Sequence, residues 1–201
     1  MDDLEARIQA LRERGDLASA ATAVIEGYGP EVLGFLVTFM RNDGDAREVF
    51  SQASEDLWAG LAHFDGRSSV RTWFYVLARH AAARFRRSPQ RRPGRHVPLS
   101  AAGEAVERVH TRTHAHLKTD VKDKFAAIRA ALAAEDRALL TLRVDRDLSW
   151  NEIALVLAAQ EESAVDDLPR VAARLRKRFQ AVKDEIRARA KQAGLLPDEE
   201  D

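Results

Sequence analysis

Apolar residues recur along this chain at spacings of three and four, punctuated by Gly, Asp, Asn, Ser and Pro, the pattern of a succession of amphipathic helices. Leu4, Ile8 and Leu11 open a helix that Gly15-Asp16 closes. A second helix is predicted from about Leu17 to Glu26. Gly27-Tyr28-Gly29-Pro30 then reads as a turn, with Pro30 near the first position of a helix whose inner face is Val32, Leu33, Leu36, Phe39 and Met40. After the break at Asn42-Asp43-Gly44, Asp45 is the expected N-cap, with Glu48 as its capping-box partner and Val49, Phe50, Ala53, Leu57 and Leu61 turned inward. A polar loop from His63 to Ser69 leads into the most strongly patterned helix, which has Val70, Trp73, Phe74, Leu77 and Ala81 on one face. Trp73 belongs to that apolar face and reads as core.

The periodicity fades at Ser88-Pro89. From 90 to 120 the chain is rich in Arg, Pro, Gly, Ser and His and reads as a tether. His110, His114 and His116 have spacings a metal cluster can use, but no further ligand accompanies them, so they read as incidental. A second domain is expected over 121–193. Phe125, Ile128, Leu132, Leu139, Leu142 and Val144 begin it, and the capping box Ser149 with Glu152 starts a helix with Trp150, Ile153, Ala154 and Leu157 on its inner face. After a polar connection from Ala158 to Ser163, a long helix repeats Val165, Leu168, Ala172, Leu175, Phe179, Val182 and Ile186. This is a core-facing stripe or, alternatively, a coiled-coil seam. Residues 194–201 read as a disordered acidic tail. The expected fold class is all-α, two small helical domains on a flexible linker.

Composition adds exclusions. The chain has no Cys, so disulfides and thiolate-held zinc or iron–sulfur sites are ruled out. The start is acidic, and no uninterrupted apolar run approaches the length of a bilayer span, so neither export nor membrane insertion is expected and the location reads as cytoplasmic. The net charge of zero hides alternating blocks. Residues 1–56 carry twelve acidic against five basic residues, residues 65–95 nine Arg against one Asp, residues 134–168 nine acidic against three basic, and residues 170–191 nine basic against two acidic. Such blocks imply surfaces for different partners. In the second block Arg71, Tyr75, Arg79 and Arg86 fall on the polar side of one helix, a basic stripe with an aromatic ring in it that suggests nucleic-acid contact.

Gly27-Tyr28-Gly29-Pro30-Glu31-Val32, Asp45-Ala46, Trp58 and above all the run FDGRSSVRTWFYVLAR from Phe64 to Arg79 resemble the region-2 domain of bacterial extracytoplasmic-function sigma factors. Leu148-Ser149-Trp150-Asn151-Glu152-Ile153-Ala154 is similar to the start of the family's region-4 helix-turn-helix. The resemblance implies a region-2 domain over 1–89, a region-4 domain over 121–193, and a subunit that directs RNA polymerase to promoters and begins to melt them. It implies polymerase docking on the β′ clamp helices through Asp45, Glu48, Gln52, Glu55 and Asp56. It also implies reading of the −10 element by a pocket of His63, Phe64, Asp65, Arg67, Ser68 and Ser69 and a strand track of Arg71, Tyr75, Arg79 and Arg86, with His80 a further −10 candidate. The implied partners are core polymerase, including its β flap, promoter DNA and an anti-sigma factor; no cofactor is implied.

The chain departs from the family at Ser51-Gln52-Ala53-Ser54, at His80 and Arg84, and most at Glu161 to Arg170, where carboxylates replace the usual recognition-helix start. Capping at Asp166 puts Pro169 in the first turn, where its missing N–H is harmless. Arg170, Arg174 and Lys177 then line one face and become the candidates for −35 contact. A sigma-like module that binds an anti-sigma factor or polymerase without reading a −35 element is the alternative. An enzyme built on His63, Asp65 and His80 lacks a nucleophile and a phosphate loop, so no catalysis is expected.

Overall fold

A computed structural model describes residues 3–87, 101–112, 120–158 and 167–196; in these every regular element is a helix and there is no strand. The first helix, α1 (Asp3–Glu13), packs across α2 (Leu17–Met40), which is capped by the Asp16 carboxylate accepting from the Ser19 amide at 3.1 Å. Here the structure corrects the sequence reading, because α2 runs unbroken through Gly27–Pro30. The two glycines serve close packing instead of a turn. A Cβ on Gly27 would lie 2.2 Å from Leu4 Cδ2, and one on Gly29 would lie 2.9 Å from Val109 and 3.1 Å from Phe50. Joined in this way, α2 is long and apolar enough to cross a membrane, although Glu26 and Glu31 interrupt it and 56% of its most apolar window is buried. It is the central helix of a bundle, with Val24, Ile25, Val32, Phe35 and Leu36 fully enclosed.

Helix α3 (Asp43–Gly60) begins three residues earlier than expected. Its N-cap is Asn42, whose side chain accepts from the Asp45 amide at 2.9 Å, so Asp43 and Asp45 both lie in the first turn, where the helix dipole favours them. A short 3-10 turn, Leu61–His63, ends in the polar loop. Helix α4 (Val70–Arg87) starts where Ser69 Oγ accepts from the Thr72 amide at 3.0 Å. Phe50 meets Phe74 at 5.9 Å between α3 and α4, and Phe35 meets Tyr75 edge-on at 5.5 Å between α2 and α4.

The segment 90–120, expected to be a tether, contains helix α5 (Ala101–Arg112), which lies in the groove between α2 and α3. Ala105, Val106 and Val109 are buried there. Arg108 pairs with Glu26 at 2.9 Å, and Arg47 donates to the His110 carbonyl at 3.3 Å. His110 packs on the Phe50 ring at 5.6 Å with its Nε2 buried and unbonded among the described residues. Burial, and then the Arg47 charge, hold its pKa below the usual value against the opposing pull of Glu107. A folded pKa below the unfolded one means that docking of α5 is fully favoured above the unfolded value of about 6.5 and is lost as pH falls. Amide protection factors across 101–112, corrected for the intrinsic pH dependence of exchange, are therefore expected to fall between pH 7.5 and 5.5, and a His110→Gln variant to lose that pH dependence. His114 and His116 lie outside the described residues.

The second half comprises α6 (Asp120–Ala131), α7 (Ala134–Leu140), a wide turn Thr141–Asp145, α8 (Trp150–Ala158) and α9 (Leu168–Gln192). The expected capping box of α8 is present: the Ser149 amide donates to Glu152 Oε2 at 2.8 Å and the Glu152 amide to Ser149 Oγ at 3.3 Å. The connection to α9 and the residues beyond 196 lie outside the described residues. Helix α9 is capped by Asp167, one residue later than expected, with Pro169 in its first turn. Its apolar stripe faces α6, α7 and α8, with Trp150 edge-on to Phe179 at 5.5 Å, which supports the core-stripe reading. Two expected core residues differ: Phe125 is 38% exposed and Val144 57%. The two halves share one continuous core, in which Leu139, Leu142, Leu148, Ile153 and Val156 join the side chains of α2 and α4.

Candidate nucleic-acid interface

The loop between Leu61 and Val70 is built to present polar groups. Gly66 has a left-handed φ of 76°, which turns the chain outward, and the Asp65 carboxylate accepts from the Arg67 amide at 3.2 Å. Asp65 also pairs with the exposed Arg67 guanidinium at 2.9 Å. His63, Asp65 and Arg67 are exposed, while Ser68 and Ser69 are half-buried. Phe64 anchors the loop. It packs on Trp73 at 4.9 Å and carries the Arg12 guanidinium 4.8 Å from its ring centre, while Arg12 also donates to the Phe64 carbonyl at 2.7 Å. Trp73 in turn lies over Gly60, where a Cβ would stand 3.1 Å from its ring. The loop is thus a polar rim on a fixed aromatic base.

The stripe on α4 is placed differently. Arg71 forms a bidentate pair with Glu31 of α2 at 2.6 and 2.8 Å and donates to the Arg146 carbonyl at 3.0 Å. Thr72, fully buried, donates to Glu152 Oε1 at 2.9 Å. Tyr75 is fully buried; burial, then the Glu31 charge, raise its pKa, and its hydroxyl has no partner among the described residues. Arg79 is 3% exposed, stacked 4.4 Å from the Phe39 ring centre and paired with Glu135 at 3.1 Å. Desolvation, the largest effect on it, lowers its pKa against the pull of Glu135. His80 is half-buried, and Arg86 is exposed and stacks on the other approach to Phe39 at 4.2 Å. Of the four track residues, then, Tyr75 and Arg79 are buried, Arg71 is half-buried in its pair with Glu31, and Arg86 is exposed.

The partners that enclose them escaped the sequence reading. In the sequence Glu31 stands only within the Gly27–Val32 motif, Glu135 only within an acidic block, and Glu152 as the capping-box partner of Ser149, and none of the three reads there as a partner of α4. Burial disfavours the Glu152 carboxylate, but hydrogen bonds from Ser149 and Thr72 and the Arg71 charge outweigh it and hold the pKa below the ordinary value.

On α3 the outward face holds Asp45, Glu48, Gln52, Glu55 and Asp56, of which Gln52 is the most open and lies 3.3 Å from Glu55. Asp56 is paired with Arg84 of α4. On α9 Arg170, Arg174 and Lys177 are all exposed at the amino-terminal end, with Arg170 3.9 Å from the capping Asp167. Among the described residues no group of His, Asp and Glu could hold a metal ion.

A basic helix behind an exposed polar loop, flanked by an acidic helix on one side and a basic helix end on the other, separates the charges by surface. Residues 24–92 match the family model described as Sigma-70 region 2, a span that takes in most of α2, α3, the loop and α4. The chain is similar to the RNA polymerase sigma-H factor of Pseudomonas aeruginosa, 26% identical over 151 residues that cover 72% of this chain and 78% of that protein. It is also similar to the RNA polymerase sigma factor YlaC of Bacillus subtilis, 24% identical over 163 residues covering 80% of this chain and 92% of the relative.

Proposed function

We propose that the chain is an extracytoplasmic-function sigma factor of bacterial RNA polymerase whose surfaces divide the work of promoter recognition. It directs RNA polymerase to promoter DNA and begins strand separation. The observation that carries the reading is the region-2 match over 24–92, whose span contains an outward acidic helix and an exposed loop on an aromatic base.

Each surface has chemistry suited to one task. The α3 face of Glu48, Gln52 and Glu55 offers carboxylate and amide acceptors to the polymerase clamp helices. The loop residues His63, Asp65, Arg67, Ser68 and Ser69 offer donors and acceptors to an unstacked base, and the α4 face beyond them offers Arg to the strand's phosphates. Arg71 is held by Glu31 within the first half, so its fork serves to fix α4 on α2 before it serves DNA. Arg170, Arg174 and Lys177, exposed at the start of α9, have the spacing and charge to approach a duplex major groove at the −35 element. An anti-sigma factor fits as a further partner, because the acidic and basic faces are distinct.

The test is promoter selection from random DNA with holoenzyme reconstituted from core polymerase, followed by footprinting. The expected result is protection of two elements, a −10 and a −35. Reversing the charge of Arg170, Arg174 and Lys177 together is expected to abolish upstream protection and weaken promoter binding at least about tenfold, with a shallower salt dependence. Unchanged promoter use by that variant would remove α9 from the recognition surface, and failure to bind core polymerase would remove the whole reading.

A further inference from the structure

Helix α1 lies ahead of the residues 24–92 that match Sigma-70 region 2, yet it holds both ends of the exposed loop. Arg12 grips the entry. Its Nη2 donates to the Phe64 carbonyl at 2.7 Å and its Nη1 to Gln9 Oε1 at 3.2 Å. The same guanidinium stands 4.8 Å from the centre of the Phe64 ring, which packs on Trp73. Its Nε is buried with no partner among the described residues, a cost that a freely solvated arginine does not carry. Glu5 grips the exit. Its Oε1 accepts from the Arg71 amide at 3.2 Å, in the first turn of α4, where a helix leaves its amides without intrahelical partners. Glu5 and Arg12 stand two turns apart on one face of α1, about 10 Å along its axis, with the fully buried Ile8 between them.

We propose that α1 is a two-point clamp that sets the shape of the base-reading loop, with Arg12 and Glu5 as positioning residues that act through Phe64 and Arg71 and touch no DNA themselves. The inference rests on the loop being the −10 surface. Between the two anchors the loop has little to hold it. His63, Asp65, Gly66 and Arg67 are exposed, and the internal ties are the Asp65 carboxylate on Arg67 and the short bonds of the Ser68 and Ser69 hydroxyls. A rim with so few buried contacts has low local stability, so its end points decide its shape. A loop already held in place loses less entropy when it takes up a base, and it presents its donors and acceptors at a fixed spacing. Rejection of a wrong base depends on that spacing, because only a fixed polar group is left unpaired by the wrong partner.

Arg12→Met keeps the stem against Phe64 and removes the fork, Arg12→Lys keeps a cation on the ring, and Glu5→Met removes the acceptor at the other end. Arg7→Met takes an equal charge from an exposed position of α1 and serves as the control. Holoenzymes of the full-length parent and variants are to be compared for core binding and for initiation at the selected promoter and at copies of it with single substitutions in the −10 element. The readout is the ratio of initiation between selected and substituted promoters, which a smaller amount of folded protein does not alter. Arg12→Met and Glu5→Met are each expected to bind core polymerase as the parent does and to lower that ratio at least about fivefold. Arg12→Lys is expected to fall between Arg12→Met and the parent, and Arg7→Met to keep the parental ratio. A parental ratio in Arg12→Met or Glu5→Met overturns the proposal, even with initiation reduced uniformly, since the residue then serves only stability or phosphate attraction. An equal fall in Arg7→Met also overturns it, because charge alone would be the cause. If Arg12→Met does not fold, Arg12→Lys decides in its place: a ratio below the parent's supports the clamp and a parental one overturns it. A parent holoenzyme that initiates at no promoter defeats the sigma reading itself, whereas variants that match an active parent count against the clamp alone.

Discussion

Replacing Phe50 by alanine is expected to cost about 4 kcal/mol of folding stability, the range found for emptying a fully enclosed aromatic site, and to lower the melting temperature by roughly 10 °C. The ring is fully buried where three helices meet: it touches Phe74 of α4 at 5.9 Å and His110 of α5 at 5.6 Å, and leaves space for α2 only because residue 29 is Gly. Its loss therefore opens a hole that no single neighbour can fill. The same change at Phe125, 38% exposed on α6, is expected to shift stability by less than about 0.5 kcal/mol. Parallel denaturant titrations decide the matter; equal losses at the two positions would mean that the shared core is not the source of stability.

That contrast marks what the sequence makes legible. Phe50 belongs to a periodic run whose spacing alone turns it inward, and the same logic found the inner faces of α3 and α4, the capping box of α8 and, within one residue, the cap that makes Pro169 harmless. Phe125 fits an equally good local pattern, yet what covers it depends on residues far away in the chain. Gly27–Pro30 shows the same limit in reverse. Its composition is that of a turn, and only the close approach of Leu4 and Val109 reveals that the glycines are there to admit neighbours. The site divides similarly. The polar loop is local, so its exposure followed from its residues. The burial of Arg79 needs Glu135, and that of Thr72 needs Glu152, partners 56 and 80 positions away, and a helical wheel of α4 cannot show which of its polar sides another part of the chain will take.

Arg137 should prove the most sensitive point of the joint between the halves. It is 4% exposed on α7, and its guanidinium donates to Thr38 O at 3.1 Å, Phe39 O at 3.5 Å and Leu132 O, all of them carbonyls, the first two at the carboxyl end of α2. Burial, followed by the charges of Arg41 and Arg86, lowers its pKa, so the cation is held by oriented backbone dipoles and the negative end of α2. Arg137→Met keeps the stem and removes the fork, which leaves those carbonyls without their donor; the expected loss is about 3 kcal/mol. Arg137→Lys is expected to recover less than half of it, since one ammonium cannot reach acceptors on α2 and in the connection after α6 at once. Helix α7 is thus tied to the first half in both directions: Glu135 receives the Arg79 cation while Arg137, two residues on, delivers one to α2. A stability loss below about 1 kcal/mol, measured by urea unfolding, would show that water already satisfies these carbonyls and that the joint does not depend on Arg137.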